Sequence, residues 1–296
     1  MPVDALDDVL AHPIPPLTIL EIGFRPEQRE RHRPLVETGR AQIIGIDADP
    51  LAIAARNLPG TPHHWVRAIV GDGQPGILHI TRDPACTSLL EPDADRTDPF
   101  TSLGATAPSG RYHVQEKLPV QTTRLDDITS LPAPDLIRID IQGGELAALS
   151  HGENSLAQAL IIDCSTAFVP LYHRQPLFGD IQRFMTDQGF LFHKFLDIGG
   201  RALKPMRLAD PRAPISQMLW ADAIFVRDFT RLDRLGDRQL LKLAALLHQI
   251  YQSMDLALLV LREYDRRKGG HLGHSYGRYL ATPRAPSPLY LTRQEG

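Results

Sequence analysis

Short runs of apolar, mostly β-branched residues alternate with helix-like spacing through most of the chain. Leu17-Thr-Ile-Leu-Glu-Ile22, Gln42-Ile-Ile-Gly-Ile-Asp47, Trp65-Val-Arg-Ala-Ile-Val70, Leu136-Ile-Arg-Ile-Asp140 and Ala159-Leu-Ile-Ile-Asp163 each read as a strand. Residues 180–189 place Ile181, Phe184 and Met185 on one helical face and end at Gly189; strands at 190–195 and 220–226 follow. The alternation predicts a Rossmann-like α/β fold: a mostly parallel sheet flanked by helices.

Two stretches break the rhythm. Residues 72–134 read as an insertion, with a hairpin-like segment at 76–81, a Ser/Thr/Pro-rich loop near 97–110 and a short strand ending at Thr122-Thr-Arg-Leu-Asp-Asp127. After Arg227 the spacing becomes helical over 239–253 and 256–264, stopped by Arg266-Arg-Lys-Gly-Gly270. The expected organisation is a domain over 1–228, a C-terminal helical hairpin over 229–270 and a flexible Pro/Gly-rich tail over 271–296.

The candidate chemistry collects where strands end, which is where open α/β sheets bind ligands. The first strand delivers Glu21-Ile-Gly23-Phe24, and a glycine there lets a ligand approach the backbone. The G-x-G-x-x-G turn that seats a pyrophosphate on a helix N-terminus is missing, an obstacle for a dinucleotide but not for S-adenosylmethionine, which has no pyrophosphate. Asp47 follows the second strand, 26 positions after Glu21, where a carboxylate can accept protons from ribose hydroxyls; Asp47 or Asp49 can equally cap the helix beginning near Pro50. Asp72, in Val70-Gly-Asp-Gly73, reads either as an adenine-edge residue or as part of a tight turn.

Composition narrows the partners. A formal charge of −3 with acidic and basic residues interspersed gives no footprint for nucleic acid. Two cysteines, Cys86 and Cys164, leave no disulfide framework and fit a reducing compartment. No apolar run approaches the roughly 18 residues of a membrane span, so a cytoplasmic location is the expectation. Among the histidines, His173 is the one worth testing as a base; the glycines around His271-Leu-Gly-His274 argue against a helix that would hold a metal there.

The densest stretch is Arg138-Ile-Asp140-Ile-Gln142-Gly-Gly-Glu145, a strand, an acidic strand end, a glycine turn and a helix start. It resembles the fourth-strand pattern K-I-D-V-Q-G-x-E of the FkbM family of methyltransferases. The resemblance extends, in the family's order from about Leu17 to Arg227, through Cys86-Thr-Ser88-Leu-Leu-Glu-Pro92, Thr123-Arg-Leu-Asp-Asp127, Pro170-Leu-Tyr172, Gln175-Pro-Leu-Phe178 and Trp220-Ala-Asp222-Ala-Ile-Phe225. It departs at Glu21-Ile-Gly-Phe-Arg-Pro26, where the family reads like D-V-G-A-N-x-G, and at Ser165, where an acidic residue is common. Asp163, two residues earlier and on the same face of a strand, is a candidate to cover that charge.

The resemblance implies a class I methyltransferase sheet, S-adenosylmethionine as cofactor, and O-methylation of a hydroxyl on a sugar or natural product. The expected cofactor-binding set is Glu21, Gly23, Phe24, Asp47, Asp72, Ser88 and Asp140; the expected catalytic set is Asp140, Glu145 and His173, with no metal. Asp140 leads as base because a strand-end acid beside a glycine turn reaches a shared cleft. The partner is then a small-molecule or glycan acceptor, and the apolar stripes of the terminal helices either pack on the domain or make a homodimer. The competing readings are a non-catalytic interaction module that keeps the fold, and a nucleotide-dependent oxidoreductase.

Overall fold

The computed structural model describes residues 5–23, 31–50, 53, 63–129 and 131–281. The chain divides into two compact units: one comprises 1–18, 29–42 and 228–296, the other 19–28 and 43–227. Where the sequence reading assigned the N-terminal segment to the sheet domain, the division groups it with the C-terminal helices.

The sheet comprises β1 (Leu17–Ile22), β2 (Ala41–Asp47), β3 (His63–Arg67), β6 (Leu136–Ile139), β7 (Ile161–Ala167), β8 (Phe190–Gly200) and β9 (Met218–Arg227), in the order β3-β2-β1-β6-β7-β9-β8. β1 with β6, β6 with β7 and β2 with β3 are parallel; β9 is antiparallel to both β7 and β8. Every residue of β1 and β6 is buried, as expected of central strands covered on both faces.

Alternation along these strands separates two faces. Leu20, Ile22, Ile137, Ile139, Ile162 and Cys164 join one aliphatic core with α4 (Glu145–Ser150), α5 (Glu153–Gln158) and α6 (Phe178–Asp187), through Leu149, Leu156, Ile181 and Met185. On the opposite face, register aligns Ile19, Leu136 and Ile161 in one row and Glu21, Arg138 and Asp163 in the row two residues further on. The polarity of that face thus reverses as the strands approach their carboxyl ends.

Within the insertion, β4 (Pro75–Thr81) and β5 (Val114–Gln121) form an antiparallel two-stranded ribbon separate from the main sheet. Between them, Cys86, Phe100, Leu103 and Tyr112 close a second small core with Leu171, Tyr172 and Leu219.

The other unit holds α1 (Leu6–Leu10), α2 (Arg33–Glu37), α7 (Asp237–Gln249), α8 (Met254–Lys268) and α9 (Leu272–Leu280). Helix α9 corrects the expectation of a structureless segment from 271 onward; residues 282–296 of that segment lie outside the described residues. Its glycines do not dissolve it, for a tertiary reason. A Cβ at Gly273 would stand 3.1 Å from the backbone nitrogen of Arg262, so the glycine permits close helix packing, and the Asp265 carboxylate accepts from Leu272 N and Gly273 N, each at 2.8 Å. Tyr276, fully buried, completes the contact with a 2.8 Å hydrogen bond to His248.

Candidate active site

Where the sheet face changes character, Arg138 reaches both neighbouring strands. Its Nη1 donates to Glu21 Oε1 at 2.6 Å and its Nε pairs with Asp163 Oδ2 at 3.4 Å, with all three side chains buried. A buried ion pair returns little net stability, because desolvation offsets the attraction, but one guanidinium between two carboxylates holds charges that would be costly alone. A cavity at this edge is lined by these three residues with Gly23, Ile139, Asp140 and Asp222. Four carboxyl groups therefore surround one guanidinium, and the cavity favours a cationic ligand.

Three strand ends are locked together beneath it. Gly23 N donates to Ile46 O at 2.9 Å, and Asp140 N to Ile22 O at 3.0 Å. Gly23 has φ +72°, and a Cβ there would fall 2.3 Å from the Asp140 carbonyl oxygen; only glycine fits this crossing.

The turn from Asp140 to Glu145 is braced at almost every polar atom. The Glu145 carboxylate accepts from Ile141 N at 2.9 Å and from Gly143 N at 2.8 Å. Gln142, at φ +61° although not a glycine, donates its amide to Asp140 Oδ1 at 2.5 Å and offers its carbonyl oxygen to Ser88 Oγ at 2.6 Å. Tyr172 Oη donates to Cys86 O at 2.8 Å and lies 3.3 Å from Gln142 Oε1. Gln175 Oε1 accepts from Leu171 N at 2.7 Å, and its Cγ stands beside the place a Cβ of Gly143 would take. Three motifs, through Ser88, Tyr172 and Gln175, thus converge on the one turn that aims the Asp140 carboxylate.

Electrostatics follow burial. Desolvation first, then the charge of Asp140, pushes the Glu145 carboxyl up to about 7. Burial, with Asp163 and Asp140 nearby, holds the Asp222 carboxyl well above the usual range.

The predicted residues separate by role. Glu21, Gly23 and Asp140 meet at the cavity. Asp47 ends β2, partly exposed, with its Oδ1 accepting from Asp49 N at 2.8 Å, so it makes the local turn that the capping alternative foresaw while remaining at the carboxyl edge. Asp72 is exposed, and its Oδ1 accepts from Gln74 N at 2.9 Å and Thr122 Oγ1 at 3.3 Å, within the tight turn. Ser88 is a brace, its hydroxyl donating to Gln142 O and accepting from Leu90 N at 2.9 Å. Glu145 supports the turn from a buried position. His173 lies outside the cavity lining, half exposed and 3.5 Å from Asp93. Phe24 lies outside the described residues.

Sequence reasoning missed three contributors. Arg138 was read only as a motif position, and Gln142 and Tyr172 only as neighbours of one. Near Ser165, Asp163 is a buried carboxylate engaged with Arg138, while Asp222 is the cross-strand partner of Ser165 on β9 and lines the cavity. The strongest available signal was the charge of Arg138 inside an otherwise apolar strand, which demands buried partners.

A sheet of order β3-β2-β1-β6-β7-β9-β8 with β9 alone reversed, a glycine ending β1 and an acid ending β2, defines a class I methyltransferase with S-adenosylmethionine as cofactor. The chain matches the methyltransferase FkbM domain over residues 22–192, more than half its length, and belongs to the FkbM methyltransferase family. A TehB-like SAM-dependent methyltransferase from Corynebacterium glutamicum aligns with 75% of this chain and 85% of its own at 14% identity and a TM-score of 0.34. A chorismate pyruvate-lyase from Serratia proteamaculans is 35% identical over 107 residues, 34% of this chain; the match spans 58% of that relative's length.

Proposed function

We propose that the protein transfers the methyl group of S-adenosylmethionine to a hydroxyl on a sugar or natural-product acceptor in the cytoplasm, with Asp140 receiving the hydroxyl proton. The observation that carries this reading is the aimed carboxylate. Asp140 stands at the strand end, held by Gln142 at 2.5 Å, on the rim of an acidic cavity that also reaches Gly23. A carboxylate so fixed can take a proton without reorganising.

The residues present suit the charge of the cofactor. The cavity itself, about 10 Å³, has room for about one water, so it is the carboxylates at the strand ends, not an enclosed space, that suit the sulfonium and ammonium charges; the pyrophosphate of a dinucleotide would meet repulsion there. Gly23 lets the β1 end close onto the Asp140 carbonyl oxygen, Asp47 at the end of β2 would accept from ribose hydroxyls, and Glu21, through its bridge to Arg138, shapes the floor. When bound, the cofactor supplies an electrophilic methyl group on a sulfonium. The chain's task is to hold an acceptor oxygen about 3–3.5 Å from that carbon and opposite the sulfur.

Calorimetric titration with S-adenosylhomocysteine, with NAD⁺ as control, tests the reading first. Saturable binding of the former alone supports it; binding of neither by folded protein favours an interaction module. In an acceptor screen with labelled cofactor, Asp140→Asn should bind S-adenosylhomocysteine as the parent does and turn over about 10²–10⁴-fold more slowly. Equal loss of binding in Asp140→Asn and Asp47→Ala would remove the division of roles.

A further inference from the structure

The connection between β8 and β9 has a composition unlike the rest of the surface. Five of the eight large apolar side chains exposed among the described residues lie on it or on the strand ends it joins: Leu203, Met206 and Ile215 on the connection, Ile198 near the end of β8 and Met218 at the start of β9, each 46–58% exposed. Exposed apolar residues scattered singly need no explanation, but this concentration within 21 positions does. The same segment exposes Lys204, Arg207 and Arg212 against a single carboxylate, Asp210, in a chain whose formal charge is −3. Arg201 is separate: it is buried, with its guanidinium 4.9 Å from the Trp220 ring centroid.

The segment is held in place rather than hanging free. Gly200 pairs with Met218 at its root, Thr101 N donates to Ala202 O at 2.9 Å, and Lys204 N to Pro99 O at 2.8 Å. Pro99 and Thr101 flank Phe100, which belongs to the small core that contains Tyr172, the side chain touching Gln142. Because β8 is antiparallel to β9 and β9 to β7, the connection emerges at the carboxyl edge, beside Asp140 and Ser165.

Apolar tips interleaved with cations on a braced loop are the chemistry of an interfacial anchor, in which side chains enter the headgroup region while arginine and lysine meet anionic lipid. We propose that the β8–β9 connection docks the carboxyl edge of the sheet onto an anionic membrane surface, presenting the active site to an acceptor at that surface. Of the three exposed cations, Lys204 donates its Nζ to Asp98 O at 2.6 Å, so Arg207 and Arg212 supply the charge complementarity, and the apolar tips suit a fluid interface, which requires no matching groove. The acceptor clause rests on the methyltransferase reading; the docking does not.

The test is co-sedimentation of the full chain with phosphatidylcholine vesicles, alone or with about one-third phosphatidylglycerol, at moderate salt, with S-adenosylhomocysteine binding measured on each protein. The parent should sediment with the mixed vesicles and not with phosphatidylcholine alone. Met206→Asp/Ile215→Asp and, independently, Arg207→Glu/Arg212→Glu should each weaken partitioning about tenfold or more, with melting and S-adenosylhomocysteine binding unchanged. If the first pair of substitutions disturbs folding, the charge-reversal pair decides. Failure to sediment with mixed vesicles, equal sedimentation with phosphatidylcholine alone, or folded variants that sediment like the parent would each overturn the docking. Vesicle binding without S-adenosylhomocysteine binding would instead overturn the methyltransferase reading and leave the docking standing.

Discussion

Two neighbouring rows on one sheet face use the same three strands for opposite purposes. Ile19, Leu136 and Ile161 are wholly buried aliphatics, and their contribution is transfer from water and contact. Two residues further on, Glu21, Arg138 and Asp163 occupy equally buried ground with three charges. Aliphatic side chains would fill that second row at similar or better stability. The charges are therefore to be understood by what lies beyond them, the cavity and Asp140. The face spends stability only where the ligand meets it.

The comparison breaks most sharply at its centre. Arg138→Met leaves Glu21 and Asp163 buried without their cation and should cost about 3–5 kcal/mol in urea unfolding. Adding Glu21→Leu and Asp163→Leu to Arg138→Met should recover most of that loss and still abolish S-adenosylhomocysteine binding; full recovery of binding would show the ionic row to be packing. In the first row, Leu136→Ala should cost about 3 kcal/mol through cavity formation, while folded protein retains the parent's affinity for S-adenosylhomocysteine by calorimetry.

Two smaller effects concern the turn above the rows. With a native value of about 7 against an ordinary 4.5, Glu145 keeps its proton in the folded chain across a range where the unfolded chain has lost it. The native state then binds more protons, so stability is greatest below about pH 4.5 for this group and falls as pH rises through about 7, by about 3 kcal/mol in all. Glu145→Gln should flatten that slope relative to the parent in pH-dependent unfolding. Asp222 contributes in the same direction but is common to both proteins, so the difference isolates Glu145. Gln142→Ala should lower kcat about tenfold, roughly 1.4 kcal/mol, with KM for the cofactor little changed. An equal loss of cofactor affinity would mean that Gln142 serves cofactor binding rather than the aim of Asp140.

Features confined to a short window were legible in the sequence. The strand ending in Asp140, its glycine turn and the Glu145 helix start are contiguous, and periodicity with the family pattern was enough to place them. The ionic row was not legible, since Glu21 and Arg138 stand 117 positions apart and only strand register makes them neighbours. Ser88, read as a cofactor residue, proved to reach Gln142 across 54 positions. Helix α9 was missed because glycine was judged by local propensity, whereas close contact at Arg262 and a cap from Asp265 outweigh it. Asp222 was missed because β9 enters the sheet between β7 and β8, an order that no local pattern announces.

That order of entry bears on how the chain is made. β7 and β8 are joined only through β9, which follows both in the chain and lies wholly after residue 192, where the family match ends. Until β9 has been synthesised, two strands present unpaired edges to each other and to neighbouring chains, the condition that invites mispairing. A fragment trimmed to the matched region would keep the Asp140 turn and lose nearly all of β1, most of β8 and all of β9, the strand that seals the gap beside β7. Production of the domain therefore depends on carrying the chain at least through Arg227, and a nascent chain paused short of that point exposes β7 and β8 to aggregation.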